Sequence, residues 1–252
     1  MRPARHTIVS RSAFGPDRIT RCVGDVLQTF DRVCGNLYLP SDFDEQSVAE
    51  FYDGLADSYE SHIDLDFNLK LISHLLAAVS KSSSARTDVL DYGIGPGLSR
   101  LLLDEYPNVN LHGADISNRM VILANRSGIP TVQCSSRIGR DPFPAGSFDG
   151  VFAANVAHYF RDTAPFLLWA RLLRLGGRIA FNARLRTVSP TRRERRDYMS
   201  ALAACGFVRI SDEIIEIRSA QRRYNVWVIR ATKGPTSVPC QPQCVPPIPI
   251  PE

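Results

Sequence analysis

The centre of the chain alternates between two hydrophobic periods. Leu71, Ile72, Leu75, Leu76 and Val79 recur at helical spacing and stop at the polar run Ser80-Lys81-Ser82-Ser83-Ser84. Residues 87–93, centred on Val89 and Leu90, then read as a short buried strand. Leu98, Leu101 and Leu102 open a helix that must close before Pro107, because a proline pushes the residue ahead of it out of helical geometry. Residues 109–114 form a second strand. Beyond it Ser117 is a helix cap, Met120 and Ala124 share a face, and Gly128 falls where a C-terminal cap belongs. Further strands are predicted at 131–134, 148–155 and 176–185, with a helix striped by Phe166, Trp169, Leu172 and Leu173 before the last of them. Ser189 and Pro190 suit the start of another helix, which ends at Gly206; residues 208–217 and 224–231 read as two closing strands.

Strands alternating with helices imply crossover units and a mainly parallel sheet covered on both faces. Two closing strands with no helix between them imply an antiparallel hairpin at one edge. The expected fold is therefore a doubly wound α/β sheet of seven strands, with a reversed last strand and a helical N-terminal extension. Three regions follow: a leader or cap segment over 1–44, the α/β domain over 45–233, and a tail over 234–252. The tail carries prolines at 235, 239, 242, 246, 247, 249 and 251, so it should be extended and unpacked. It is either inert or a proline-rich ligand for a partner domain.

Composition narrows the partners. The 252 residues are 44% hydrophobic and 22% charged with a net charge of +4, an ordinary globular balance that calls for no polyanionic partner. No apolar run reaches the roughly 18 residues of a membrane helix, and the basic start lacks the apolar core of a secretory signal. Six scattered cysteines in such a chain are read as reduced thiols, the cytosol as the compartment, and no metal site is expected.

The chemistry concentrates after the first strand of the domain. Val89-Leu90-Asp91-Tyr92-Gly93-Ile94-Gly95-Pro96-Gly97-Leu98 closes a strand on an acid and turns through glycines into a helix. Glycines there let the backbone turn tightly and approach a ligand, and the helix that follows offers free amides to it. Asp115 ends the next strand, where a carboxylate can accept hydrogen bonds from both hydroxyls of a ribose; alternatively it only caps the Ser117 helix.

The same segments carry a resemblance. VLDYGIGPGLSRLLL with LHGADISNRMVILANR looks like the first two motifs of class I S-adenosylmethionine-dependent methyltransferases, small-molecule type. PFPAGSFDGVFAANVAHYF resembles the family's fourth-strand region, ARLLRLGGRIAF its fifth-strand entry, and FYDGLADSYESH its lead-in helix; together they cover about residues 50 to 232. The resemblance implies S-adenosylmethionine as cofactor. It implies that Asp91 orients the glycine loop near the methionine amino group, that Gly93, Gly95 and Gly97 make room, and that Asp115 holds the ribose. It further implies Ile116 and Met120 against the adenine, Asn155 beside the amino group, and Tyr59 or Tyr52 over the methionine carboxylate.

Two positions depart from the pattern. No carboxylate lies between Val132 and Arg137, where the family commonly places an acid for the adenine amino group, leaving Ser135 or a backbone carbonyl as substitutes. Tyr92 is bulkier than the usual aliphatic residue.

Methyl transfer to oxygen or nitrogen is an in-line displacement that needs a base only when the nucleophile arrives protonated. His158, just past the fourth strand, is the candidate base, with ring packing as its alternative role. Arg184, Arg186, Arg192, Arg193, Arg195 and Arg196 gather around one helix start, where positive charge opposes the helix dipole. They form either a solvated surface or an anion site; with no aromatic stacking motif beside them, no nucleic-acid partner is expected. The leading expectation is methyl transfer to a small molecule, in specialised metabolism. Its rivals are a methyltransferase-like fold turned to cyclisation or elimination, a non-catalytic binding subunit, and RNA methylation.

Overall fold

In a computed structural model the described residues are 8–9, 18–23, 26–34, 37–40, 43–80, 85–135, 143–160, 162–183, 185 and 189–235. The proline-rich tail beyond Pro235 and the arginines at 184 and 186 lie outside them. Seven strands form the main sheet: β5 (Thr87–Tyr92), β6 (Val109–Asp115), β7 (Thr131–Gln133), β8 (Phe148–Ala153), β9 (Leu173–Ala183), β10 (Phe207–Arg218) and β11 (Arg223–Lys233). Their order is β10-β11-β9-β8-β5-β6-β7, with β11 antiparallel to both of its neighbours and the other pairs parallel. The expected doubly wound sheet with its reversed last strand is what the chain forms.

Period-two alternation sorts the strand residues onto two cores. Leu90, Val151, Phe181 and Trp227 face α4 (Ala164–Leu172) and α5 (Arg192–Ala204). Val89, Phe152, Ala180 and Val228 face α2 (Leu65–Val79), α3 (Asn118–Arg126) and the 3-10 helix Leu98–Glu105. Tyr92 belongs to the first face, where its ring meets Trp169 edge-on at 5.4 Å and Phe160 at 6.3 Å. Its bulk therefore fills an aromatic core on the side opposite Asp91.

Two elements differ from expectation. The segment after the glycine loop winds as a 3-10 helix, and Leu101 stays 63% exposed while Leu98, Ser99 and Leu102 are buried. Ser99 turns that face inward because its hydroxyl donates to Asp91 Oδ2 at 2.8 Å. Ahead of the helical extension α1 (Glu45–Leu55), the backbone pairs as a small antiparallel sheet of β1 (Ile8–Val9), β2 (Arg18–Val23), β3 (Val26–Cys34) and β4 (Leu37–Pro40). Its register sets Val23 against Val26 and Cys34 against Leu37, two residues apart in each case. In the sequence the strands are separated only by the pairs Gly24-Asp25 and Gly35-Asn36, a signal that a search for longer periodicity passes over.

Asp64 ties α2 to the closing hairpin. Its Oδ1 accepts the Phe67 amide at 3.0 Å as the helix cap, and its Oδ2 accepts the Ser219 and Tyr224 hydroxyls at 2.6 and 2.9 Å. Burial pushes this carboxyl up, but the Ser219, Phe67 and Tyr224 hydrogen bonds outweigh it and hold the group below the ordinary carboxylate value. Asp64→Ala is expected to cost about 1 kcal/mol through the lost cap alone, read as a lower urea midpoint at neutral pH. Because the folded-state value is the lower one, wild type and variant should converge as pH falls below about 4.

Candidate functional site

The order β7-β6-β5-β8 places the carboxyl ends of β5 and β8 side by side while the loops leaving them diverge, which opens a crevice at the edge of the sheet. The glycine loop lies on one side of it. Gly93, Gly95 and Gly97 take φ of +78°, +60° and +92°, in the left-handed region. The Gly93 amide donates to the Ala114 carbonyl at 2.7 Å, which lays the loop across the end of β6. A Cβ on Gly93 would collide with Val156 of the loop after β8, and one on Gly97 would come within 3.1 Å of the Ala124 Cα in α3. Gly95 differs: a Cβ there meets nothing within 4 Å. The outer glycines are packing requirements, and the middle one presents bare backbone to open space.

Asp115 sits beneath that backbone, 8% exposed. Its Oδ2 accepts the Gly95 amide at 2.8 Å and its Oδ1 the Ser117 amide at 2.9 Å. Asp115 thus braces the cap residue without being the helix cap, and the same carboxylate is joined to the glycine loop. Helix capping itself falls to Ser117, whose hydroxyl accepts the Met120 amide at 3.1 Å. Asp91, 2% exposed, lies one strand over. Burial pushes the Asp91 carboxyl up to about 7, with the Ser99 hydroxyl opposing and the charge of Asp115 adding to the rise. Burial likewise pushes Asp115 up to about 6 against three backbone amides.

The other side of the crevice is set by an asparagine chain. Asn155 holds φ +58°, uncommon for a side-chain-bearing residue, and its amide donates to Asn182 Oδ1 at 2.7 Å. Asn182 Nδ2 returns a bond to Asn155 Oδ1 at 2.9 Å, and Asn155 Nδ2 donates to Asn68 Oδ1 of α2 at 3.0 Å. Asn68 and Asn182, both buried, were not singled out by the sequence; three asparagines on three elements leave no local signal. His158 follows in the 3-10 turn Ala157–Tyr159, its ring 4.1 Å from that of Tyr159.

Helix α1 is held by polar contacts to the segments that follow β6, β7 and β8. Asp53 Oδ1 accepts the Ser117 hydroxyl at 2.6 Å and the Arg119 amide at 2.9 Å, so α1 supplies a carboxylate to the start of α3. Asp57 pairs with Arg119 at 2.5 Å, the Tyr52 and Tyr159 hydroxyls meet at 2.7 Å, and Ser135 donates to Glu45. Phe43 and Val48 pack with Ile116, and Met120 is fully buried under the same corner. Tyr59 lies in the 3-10 helix Ala56–His62 that follows α1, packed on Leu55 with its ring 6.2 Å from that of Tyr52.

Among the described arginines of the basic run, Arg195 pairs with Asp212 at 3.2 Å, and Arg193 and Arg196 lie at 3.7 and 3.5 Å from Asp197. The helix opens at Thr191, which forms a capping box with Glu194, two residues later than Ser189 suggested. These charges are met on the protein surface, which favours the solvated reading.

A doubly wound sheet with a bare-backbone glycine loop and an acid at each of two adjacent strand ends defines a nucleotide-cofactor protein. Residues 90–181 match the family described as methyltransferase domain. The chain is thus similar to methyltransferase domains over the stretch from β5 into β9, which holds Asp91, the loop glycines, Asp115 and Asn155. It is 32% identical over 117 residues to a trans-aconitate 2-methyltransferase of Mycolicibacterium gilvum, a match covering 45% of this chain and 44% of that relative's length. Among solved structures, the Haemonchus contortus phosphoethanolamine N-methyltransferase 2 superposes with a TM-score of 0.58 at 13% identity, covering 86% of this chain and 71% of that one. A [4+2]-cyclase, SpnF, superposes with a TM-score of 0.56 at 14% identity, over 76% of this chain and 97% of its own. Among the described residues no helix is long and apolar enough to cross a membrane.

Proposed function

We propose that this chain transfers a methyl group from S-adenosylmethionine to an oxygen or nitrogen of a small molecule in the cytosol. One observation carries the reading: Gly95, open above and tied below to the buried Asp115, forms a cradle for a nucleoside at the sheet edge. The donor set fits the group. Asp115 would take the ribose hydroxyls, and Asp91, ionised, would attract the ammonium of the methionine end. Asn155 would hold its backbone carbonyl toward the same ammonium, fixed by Asn182 and Asn68. Ile116 and Met120 would wall the base, and Tyr59 would close over the carboxylate end.

When bound, S-adenosylmethionine supplies an electrophilic methyl carbon on a good leaving group. The protein's task is then alignment, which alone contributes about 7–11 kcal/mol to lowering such a barrier. Through its contacts to three loops, α1 closes the crevice and excludes water. His158 stands beside the loop after β8, where an acceptor must enter, and takes the acceptor's proton where there is one to lose.

The trans-aconitate relative makes small polycarboxylates the first acceptors to test. Calorimetry with S-adenosylhomocysteine is expected to give micromolar binding; no binding at millimolar ligand would remove the cofactor from this reading. Labelled methyl transfer to trans-aconitate and related acids then separates transfer from the rival suggested by the cyclase scaffold. Cofactor bound without any label transferred would favour cyclisation or elimination. His158→Ala is expected to lower kcat by about 100-fold for a protonated acceptor while leaving S-adenosylhomocysteine affinity unchanged.

A further inference from the structure

We propose that Glu45, on helix α1, reads the exocyclic amino group of the bound base and so selects adenine. The inference rests on the cofactor reading above and deepens it.

Direction along the sheet edge places the base. With the amino-acid end at Asp91 after β5 and the sugar at Asp115 after β6, the next strand outward is β7. The register sets Asp115 beside Gln133, and Cys134 donates its amide to the Asp115 carbonyl at 2.9 Å. Gln133 Nε2 donates to the Ile116 carbonyl at 3.0 Å, which pins the end of β7 to the residue after Asp115. A base extending from the ribose in that direction would run toward Ile116, Cys134 and Ser135.

Adenine presents an amino group with two donors at its outer edge, and only an acceptor can distinguish it from a base carrying oxygen there. Cys134 and Ser135 bring no charge to this corner. Glu45 does: it stands in the first turn of α1, half-buried, with its Oε2 hydrogen-bonded to the Ser135 hydroxyl. Its charge is felt by the neighbouring Cys134 as well, whose thiol is pushed up to about 12 by burial first and by Glu45 next. A carboxylate has about four acceptor sites, so it can take the Ser135 hydroxyl and an amino hydrogen together. The residue lies outside the strand-end motifs, 90 positions before Ser135, and α1 delivers it from above.

The test compares S-adenosylhomocysteine with S-inosylhomocysteine, in which a carbonyl oxygen replaces the amino group, by calorimetry on the full chain and on Glu45→Gln. Wild type should favour the adenine ligand by at least about tenfold, because a carboxylate facing a carbonyl leaves two acceptors opposed. In E45Q the amide can donate to that carbonyl, so the preference should fall by about tenfold and approach parity. The readout is a ratio measured on one protein, so general loosening of the fold lowers both affinities and leaves it in place. An E45Q preference equal to wild type, or no preference in wild type, overturns the role of Glu45 while the cofactor reading stands. Failure of either ligand to bind wild type overturns both.

Discussion

Asp115→Ala is expected to weaken S-adenosylhomocysteine binding by about 100-fold, or roughly 2.7 kcal/mol. A hydrogen bond to a charged group contributes about 1.5–3 kcal/mol, and the ribose offers two such donors to one carboxylate. The side chain has structural work too, because it accepts the Gly95 and Ser117 amides at 2.8 and 2.9 Å. Loss of affinity in the variant alone would therefore not separate a ribose contact from a loosened glycine loop. A cycle does. The 2′,3′-dideoxy analogue of the ligand should bind wild type about as weakly as the intact ligand binds Asp115→Ala, and removing both partners should cost little more than removing one. Fully additive losses would mean that Asp115 serves the loop and not the sugar. Calorimetry of the four pairings, with a thermal melt of the variant, settles which.

The strand ends of the site were readable because each acid follows a pair of residues fit for burial, Val89-Leu90 before Asp91 and Gly113-Ala114 before Asp115, just ahead of a turn or cap signal. The glycines between them have no helical or strand period of their own. Distance along the chain hid the rest. Asp53 meets Ser117 from 64 residues away and Tyr52 meets Tyr159 from 107, contacts made only once the α1 helix has docked. Asn155 was visible at the end of β8, but its support by Asn68 and Asn182 depends on which helix packs against which strand. Tyr92, an oddity in the sequence, becomes ordinary once its ring is seen among Phe160 and Trp169. The absence of an acid after β7 is met in space by Glu45 of α1, which no scan of the segment around Ser135 could find.

Cofactor affinity should climb with pH, by about three decades between pH 5 and pH 8 if both carboxylates must be ionised to bind. In the free protein Asp91 is pushed up to about 7 and Asp115 up to about 6, burial being the main cause for both and their mutual repulsion adding at Asp91. Both sit above the unfolded carboxylate value near 4, so across this window the folded protein holds more protons than the unfolded chain. The contribution of this pair to the free protein's stability then falls as pH rises from about 4 to 7 and levels off above that. Ligand binding responds in the opposite sense. The methionine ammonium needs an ionised partner and the ribose hydroxyls need acceptors, so bound ligand favours the deprotonated pair, and near pH 6 binding should release about one proton. Calorimetry in buffers of differing ionisation enthalpy counts that proton directly. Asp91→Asn keeps the acceptor for the Ser99 hydroxyl while removing the group that titrates highest. In that variant the climb between pH 6 and 8 should flatten, with the remaining dependence shifted to the lower range of Asp115. An affinity level from pH 5 to 8 in wild type would show that neither carboxylate changes its charge on meeting the ligand, and would move the cationic end of the cofactor away from Asp91.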